Sequence, residues 1–124
     1  RGHPLLSSRL TLSRFAAQSH VVLSITGQGN AMIDTALARH GKRRRVAVRL
    51  PHFLVAPMIV AASDLVLSLP RRLAVHVAKS VPIELVELPM KLDTFSLSMI
   101  WHERTHGDPA QAWLRGQIVD ALDN

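Results

Sequence analysis

The chain has no cysteine, which excludes a disulfide framework, a zinc–thiolate site and a thiol nucleophile. It has no tyrosine and only 4% aromatic residues, leaving few ring faces on which nucleic-acid bases could stack. No apolar stretch approaches the ~18–20 residues that a membrane span needs, and no signal-peptide pattern appears. Internal repeats and low-complexity segments are also missing. These absences suit a globular cytosolic protein with no membrane association.

The 124 residues are 48% hydrophobic and 19% charged, a balance for one domain with a proper core rather than for a disordered chain. The formal net charge is +6, which invites a nucleic-acid reading. The arginines, however, are scattered among apolar elements. The one dense run, Lys42 to Arg45, falls between a helix end and a strand start. It reads as a solvated turn complementing a negative helix terminus rather than as a phosphate-contacting patch. A chain that begins at Arg1 reads as a piece of a longer protein.

The local patterns place elements in order. Thr11 is positioned to cap a short helix carrying Leu12, Phe15 and Ala16. Ser19 to Ile25 is the first clear strand, and a loop containing Thr26, Gly27 and Gly29 leads to Asn30 as a helix cap. The next helix spans Ala31 to His40, with Ile33 and Leu37 one turn apart and Gly41 as a left-handed stop. Arg45 to Leu50 is a β-branched run suited to a strand. Leu54 to Ala62 is apolar all round, with Pro57 tolerable in a first turn, and predicts a buried helix. Leu65 to Leu69 predicts a strand covered on both faces. Pro70 then opens a helix with Arg71 and Arg72 on its outer side.

Beyond Ser80 to Pro82, the alternation of Ile83, Leu85 and Leu88 with Glu84 and Glu87 predicts an edge strand limited by Pro89. Phe95 to Trp101 alternates with period two and predicts another strand. Asp108, Pro109 and Gln111 make a capped helix start, and Trp113, Leu114, Ile118, Ala121 and Leu122 are its packing residues. Strand–helix–strand succession with apolar strands predicts βαβ units, an α/β fold and a right-handed crossover. Ligands of such sheets bind outside the carboxyl ends of the strands. That rule puts His52, Phe53 and the first turn of the following helix at the rim of a candidate site.

Enzyme chemistry finds no footing. The nine acidic residues show no paired-carboxylate spacing. The seven histidines form no His-x-x-x-His helix; His102 and His106 are four apart but lie in a strand end and a loop. There is no Gly-x-Ser-x-Gly elbow. The Gly27-Gln-Gly29 loop has no third glycine and no acidic residue after the next strand, which excludes a dinucleotide fingerprint. Catalytic, metal and cofactor sites are therefore expected to be absent. His20 and His52 remain as imidazoles beside strands. Each is either a hydrogen-bonded core-edge histidine or a donor to the carboxylate or hydroxyl of a small ligand. Thr26 and Gly27 precede a helix N-terminus, which suits an anion.

One further signal is carried by ordered segments. Val48-Arg-Leu-Pro-His-Phe53, Ile59-Val-Ala-Ala-Ser-Asp-Leu-Val66 and Ser68-Leu-Pro-Arg-Arg-Leu-Ala74 stand in the middle. Around them are Arg1-Gly-His-Pro-Leu5, Ser19-His-Val-Val22, Asp34-Thr-Ala-Leu-Ala-Arg-His-Gly41, Trp101-His-Glu-Arg104 and Asp108-Pro-Ala-Gln-Ala-Trp-Leu-Arg115. In this order the set resembles the effector-binding domain of LysR-type transcriptional regulators, in the branch that senses small aromatic acids.

The resemblance implies an α/β fold: one Rossmann-like lobe of a type 2 periplasmic-binding-protein-like effector domain, plus a return crossover strand and C-terminal helix. Residues 1–88 would form the second lobe, and 89–124 the return strand and helix belonging to the first lobe. No DNA-binding domain lies in this chain, so DNA would be reached only through an N-terminal helix-turn-helix outside it. The implied ligand is a small aromatic carboxylate in an inter-lobe cleft, lined by His20, Thr26, Gly27, His52 and Phe53. Effector binding would rearrange a homodimer or homotetramer, with Trp101, Trp113, Leu114 and Ile118 at the lobe or subunit interface. The alternative is a stand-alone small-molecule or anion-binding module of the same fold with no part in transcription.

Overall fold

A computed structural model describes residues 2–24, 31–94 and 96–123. By its internal contacts the chain divides into two units, Arg1–Asp93 and Thr94–Asn124, each taken here in turn.

The first unit is built on three parallel strands, β1 (Ser19–Leu23), β2 (Arg45–Leu50) and β3 (Val66–Leu67), in the order β2-β1-β3. Parallel neighbours cannot be joined by a tight hairpin, so each connection carries a helix. α2 (Ala31–Ala38) joins β1 to β2, and α3 (Ala56–Ala61) carries the chain from β2 past the central strand to β3. Ser19 lies opposite Arg45 and His20 opposite Val46, after which a bulge shifts the register so that Val21 faces Val48. On the other side His20 faces Val66 and Val21 faces Leu67. The β1–β2 ladder continues past β1, where the Ser24 N–H donates to the Leu50 carbonyl at 2.9 Å.

The core follows from the apolar spacing in α1 (Leu12–Ala16) and α2. Phe15, Ile33 and Leu37 form its buried centre, at 1%, 2% and 0% exposure. Val21 and Val22 of the central strand are buried with them. Thr11 caps α1, its hydroxyl accepting from the Arg14 N–H at 3.2 Å. α2 stops where the sequence places its glycine: Gly41 has φ +64°, a region open to glycine at little cost. The Gly41 N–H reaches the Ala38 carbonyl and the Lys42 N–H the Leu37 carbonyl, both at 2.9 Å, the paired bonds of a Schellman stop. α4 (Arg71–Val77) begins directly after Pro70.

Several expectations are corrected. The 54–62 segment is not a helix buried all round: Ala56 and Pro57 are buried, whereas Leu54 is 78% and Met58 63% exposed. An apolar surface without polar breaks shows compatibility with burial, and the sheet here covers one side of it. The expected 65–69 strand is two residues long and half-buried. Residues 83–88 form no strand. Instead Leu88, Met90 and Leu92 pack against the Phe15–Ile33–Leu37 cluster, so the segment contributes side chains without a ladder. Arg44 is not part of a solvated turn. Its side chain is 1% exposed and grips Asp34 of α2 with two parallel bonds, Nε to Oδ1 at 2.7 Å and Nη2 to Oδ2 at 3.1 Å.

The second unit contains one long helix, α5 (Pro109–Asp123). Asp108 caps it through Oδ1, which accepts from the Gln111 N–H at 2.9 Å. The strand expected at 95–101 does not form among its described residues, 96–101, because a period-two pattern supplies a face but not a partner. The expected packing residues are open: Trp113 is 66% exposed, and Leu114, Ile118 and Leu122 are also exposed. Within this unit Arg115 ties the turn before α5 to the helix. Its guanidinium lies 4.6 Å from the Trp101 ring centroid and donates to the His106 carbonyl at 2.8 Å. The Trp101 indole N–H in turn donates to His106 Nδ1 at 3.2 Å.

Candidate functional site

The strand order decides where a ligand can enter. β1 connects to β2 on one side, and the chain then crosses to β3 on the other. The chain leaves β1 toward α2, β2 at Pro51 and β3 at residue 68, so these exits lie at the carboxyl edge of the sheet, where open α/β sheets hold ligands. Four features meet this edge: Leu23 and Ser24 at the end of β1, residue 68 after β3, the Pro51–Phe53 exit from β2, and the start of α2.

Ser68 is the informative residue. It follows β3 directly, one step beyond the Val21–Leu67 pair, and its hydroxyl oxygen is buried with no hydrogen-bond partner among the described residues. A buried hydroxyl left unpaired costs about 1–3 kcal/mol, which makes it the polar group at this edge that most needs an account. Sequence reading passed over it as one residue of the apolar run Leu65 to Leu69. The signal available was a hydroxyl inside that run, immediately before the loop to Pro70.

His52 and Phe53 lie where the strand pattern places them, just beyond the carboxyl end of β2. Both are exposed, Phe53 to 43%, and free of the core. Thr26 and Gly27 lie outside the described residues.

His20 is placed differently. It is the second residue of β1 and 0% exposed, near the amino end of the strand rather than at the ligand edge. Its Nε2 is 2.9 Å from the Phe15 carbonyl, which can only accept, so the ring N–H is on Nε2. The Phe15 ring meets it edge-on with centroids 4.8 Å apart. In the neutral ring Nδ1 is then a lone-pair acceptor, buried without a partner among the described residues. Burial pushes the imidazole below its ordinary value of 6.5; the Phe15 carbonyl opposes this, Arg44 adds to it, and Asp34 opposes it. His20 therefore sits as a hydrogen-bonded histidine in the core, at the end of β1 opposite the carboxyl edge.

Of the four interface candidates, Trp101, Trp113, Leu114 and Ile118 all lie in the second unit and all are exposed by 40% or more. Among the described residues no group of three histidines or carboxylates could hold a metal ion, and no helix is long and apolar enough to cross a membrane.

Comparison with known proteins agrees with this architecture. The family model for the LysR substrate binding domain matches residues 1–123. The transcriptional activator NahR of Pseudomonas putida is 32% identical over 97% of this chain, and the match covers 40% of NahR. The transcriptional regulator SyrM of Rhizobium meliloti is 35% identical over 96% of the chain, covering 37% of SyrM. The chain thus spans about two fifths of the curated relatives it matches. Among solved structures, the regulatory domain of MexT from Pseudomonas aeruginosa superposes with a TM-score of 0.80 at 28% identity, covering 90% of this chain and 56% of that one. A transcriptional regulator from Vibrio parahaemolyticus gives 0.78 at 31% identity, with 93% and 54% covered.

Proposed function

The chain belongs to the LysR substrate-binding domain family, and from that premise we propose that it is the effector-sensing part of a bacterial, cytoplasmic LysR-type transcriptional regulator. It takes a small organic acid at the carboxyl edge of its sheet. The observation that carries this reading is the Ser68 hydroxyl, buried without a partner among the described residues at the carboxyl end of β3. His52 supplies a second donor at the rim and Phe53 an exposed ring face, which fits an aromatic carboxylate: one polar end and one flat apolar body. The naming of relatives as transcriptional regulators speaks for sensing rather than turnover. A ligand that prefers one arrangement of a homo-oligomer over another biases that equilibrium by its differential affinity. DNA is reached through a helix-turn-helix outside these residues. No observation favours a stand-alone module without a role in transcription.

The test is thermal unfolding with a panel of aromatic carboxylates, against aliphatic acids and neutral aromatic analogues. A ligand at a hundredfold its Kd adds about 2.7 kcal/mol to stability, so a saturable rise in Tm is expected with aromatic acids alone. Ser68→Ala and His52→Ala should each raise the apparent Kd about tenfold, since each removes one hydrogen bond to a charged group. A rise that is unchanged in both variants would move the site elsewhere.

A further inference from the structure

Without its bulge, β2 would turn different side chains to the two faces of the sheet at its carboxyl end. Side chains alternate along a strand, and partners in register share a face. Val46 stands opposite His20, so in an unbroken ladder Val48 would stand opposite Val22. The shift after His20 instead sets Val48 against Val21 and Arg49 against Val22. A slip of one residue exchanges the two faces, and Arg49 thereby joins the face of His20 and Val22. Ser68 belongs to that face too, since Val66 is opposite His20 and Ser68 is two residues further on. At the level of Val22, which is 1% exposed, the row across the sheet reads Arg49, Val22, Ser68. With strands about 4.8 Å apart, the outer two Cα atoms of that row are roughly 10 Å from each other. Arg49 is exposed, and among the described residues no hydrogen bond or ion pair engages its guanidinium. The arginines that open α4 beyond β3 differ: Arg71 is paired with Glu87, and Arg72 also has a partner.

We propose that Arg49 is the counter-ion for the carboxylate of the effector, and that the bulge in the β1–β2 ladder is what turns it to the ligand face. This rests on the reading of the carboxyl edge as the effector site. A guanidinium matches a carboxylate with two parallel N–H donors. The Ser68 hydroxyl donates a further bond from the other side of Val22, and the flat body of the acid is left to Phe53. Bulges are over-represented next to active sites, where they re-aim a side chain; here the effect is that Arg49 and Val48 exchange faces. Arg45 supplies the contrast. It stands opposite Ser19, so it lies on the other face, at the amino end of the strand.

The experiment is calorimetric titration of the 124-residue chain with benzoate and with its neutral analogue benzamide. Benzoate is expected to bind about tenfold more tightly, since hydrogen bonds to an ionised group are roughly twice as strong as neutral ones. Arg49→Met should weaken benzoate about tenfold and leave benzamide within about twofold, erasing the preference. Arg45→Met removes the same charge from the other face. It should leave benzoate within about twofold at about 0.15 M salt, where screening acts over about 8 Å. The exchange Val48→Arg/Arg49→Val keeps composition and net charge but moves the cation to the other face, and it should behave as Arg49→Met does. Circular dichroism checks that each variant keeps its fold; Arg49→Met, at an exposed position, gives the answer if the exchange does not fold. Undiminished benzoate binding by Arg49→Met would overturn the counter-ion role and leave the edge site standing. Equal weakening by Arg45→Met would reduce the effect to net charge and also overturn it. Benzoate that fails to bind the unaltered chain would overturn the edge reading together with the role of Arg49.

Discussion

α2 and α5 begin from similar instructions and end in opposite environments. Each is announced by a start signal and an apolar rhythm, and α5 is the longer, fifteen residues against eight. α2 buries Ile33 and Leu37 almost completely, whereas α5 buries nothing and leaves Trp113, Ile118 and Leu122 exposed. Helix formation is thus written locally, but burial is written in what the helix meets. α2 meets the sheet and the Phe15 cluster; the apolar residues of α5 are a surface awaiting contact.

The contrast can be tested most sharply by truncation. Leu37→Ala should destabilise the chain by about 2–5 kcal/mol, the range for emptying a packed core, visible as a lower urea midpoint. Ile118→Ala, at a residue 40% exposed, should change the same midpoint by less than about 0.5 kcal/mol. Comparable losses at the two positions would mean that α5 is packed in solution and that the contrast is false.

A second difference concerns protons. His20 sits within the core of the first unit with its pKa depressed, chiefly by burial. The unfolded chain then binds a proton that the folded chain refuses, so stability rises with pH up to the unfolded value of 6.5 and falls as pH drops below it. One such proton contributes a slope of at most about 1.4 kcal/mol per pH unit. His20→Gln can still donate to the Phe15 carbonyl but does not titrate. It should flatten the stability curve in the window just below the ordinary histidine value of 6.5. A slope unchanged by the substitution would assign the proton to another group.

How much of this was legible beforehand depended on whether a pattern is local. β1, β2, α1, α2 and the start of α5 follow from β-branched runs, the Thr11 and Asp108 caps and the left-handed stop at Gly41, all of which act within a few residues. Family membership was legible too, since the ordered segments run the length of the chain. Segments 83–88 and 95–101 misled because alternation says which residues share a face and nothing about a pairing strand. The 54–62 helix misled because continuous apolarity does not say how many neighbours arrive. Arg44 was hidden in a basic run whose other members look alike, and only the approach of Asp34 from α2 distinguishes it. Of the proposed edge site, strand ends place His52 and Phe53, but the interest of Ser68 lies in a missing partner among the described residues, which a sequence does not print. His20 stood out beside a strand, and the structure adds what the strand pattern did not carry, its complete burial.

The smallest expected effect discriminates between the two helices at their caps. Thr11→Ala removes the hydroxyl that accepts from the Arg14 N–H and should cost the first unit about 1 kcal/mol, because α1 carries Phe15 into the core and unfolds with it. Asp108→Ala removes the corresponding bond to the Gln111 N–H, but α5 has no buried residue through which to pass the loss on. A helix of fifteen residues with no buried side chain is marginal in water, so the loss should appear as fraying. Amide exchange near Gln111 should become several times faster while the urea midpoint of the first unit stays put. A shift of that midpoint by as much as Thr11→Ala produces would show that the two units unfold as one, and that the exposed apolar face of α5 is in contact after all.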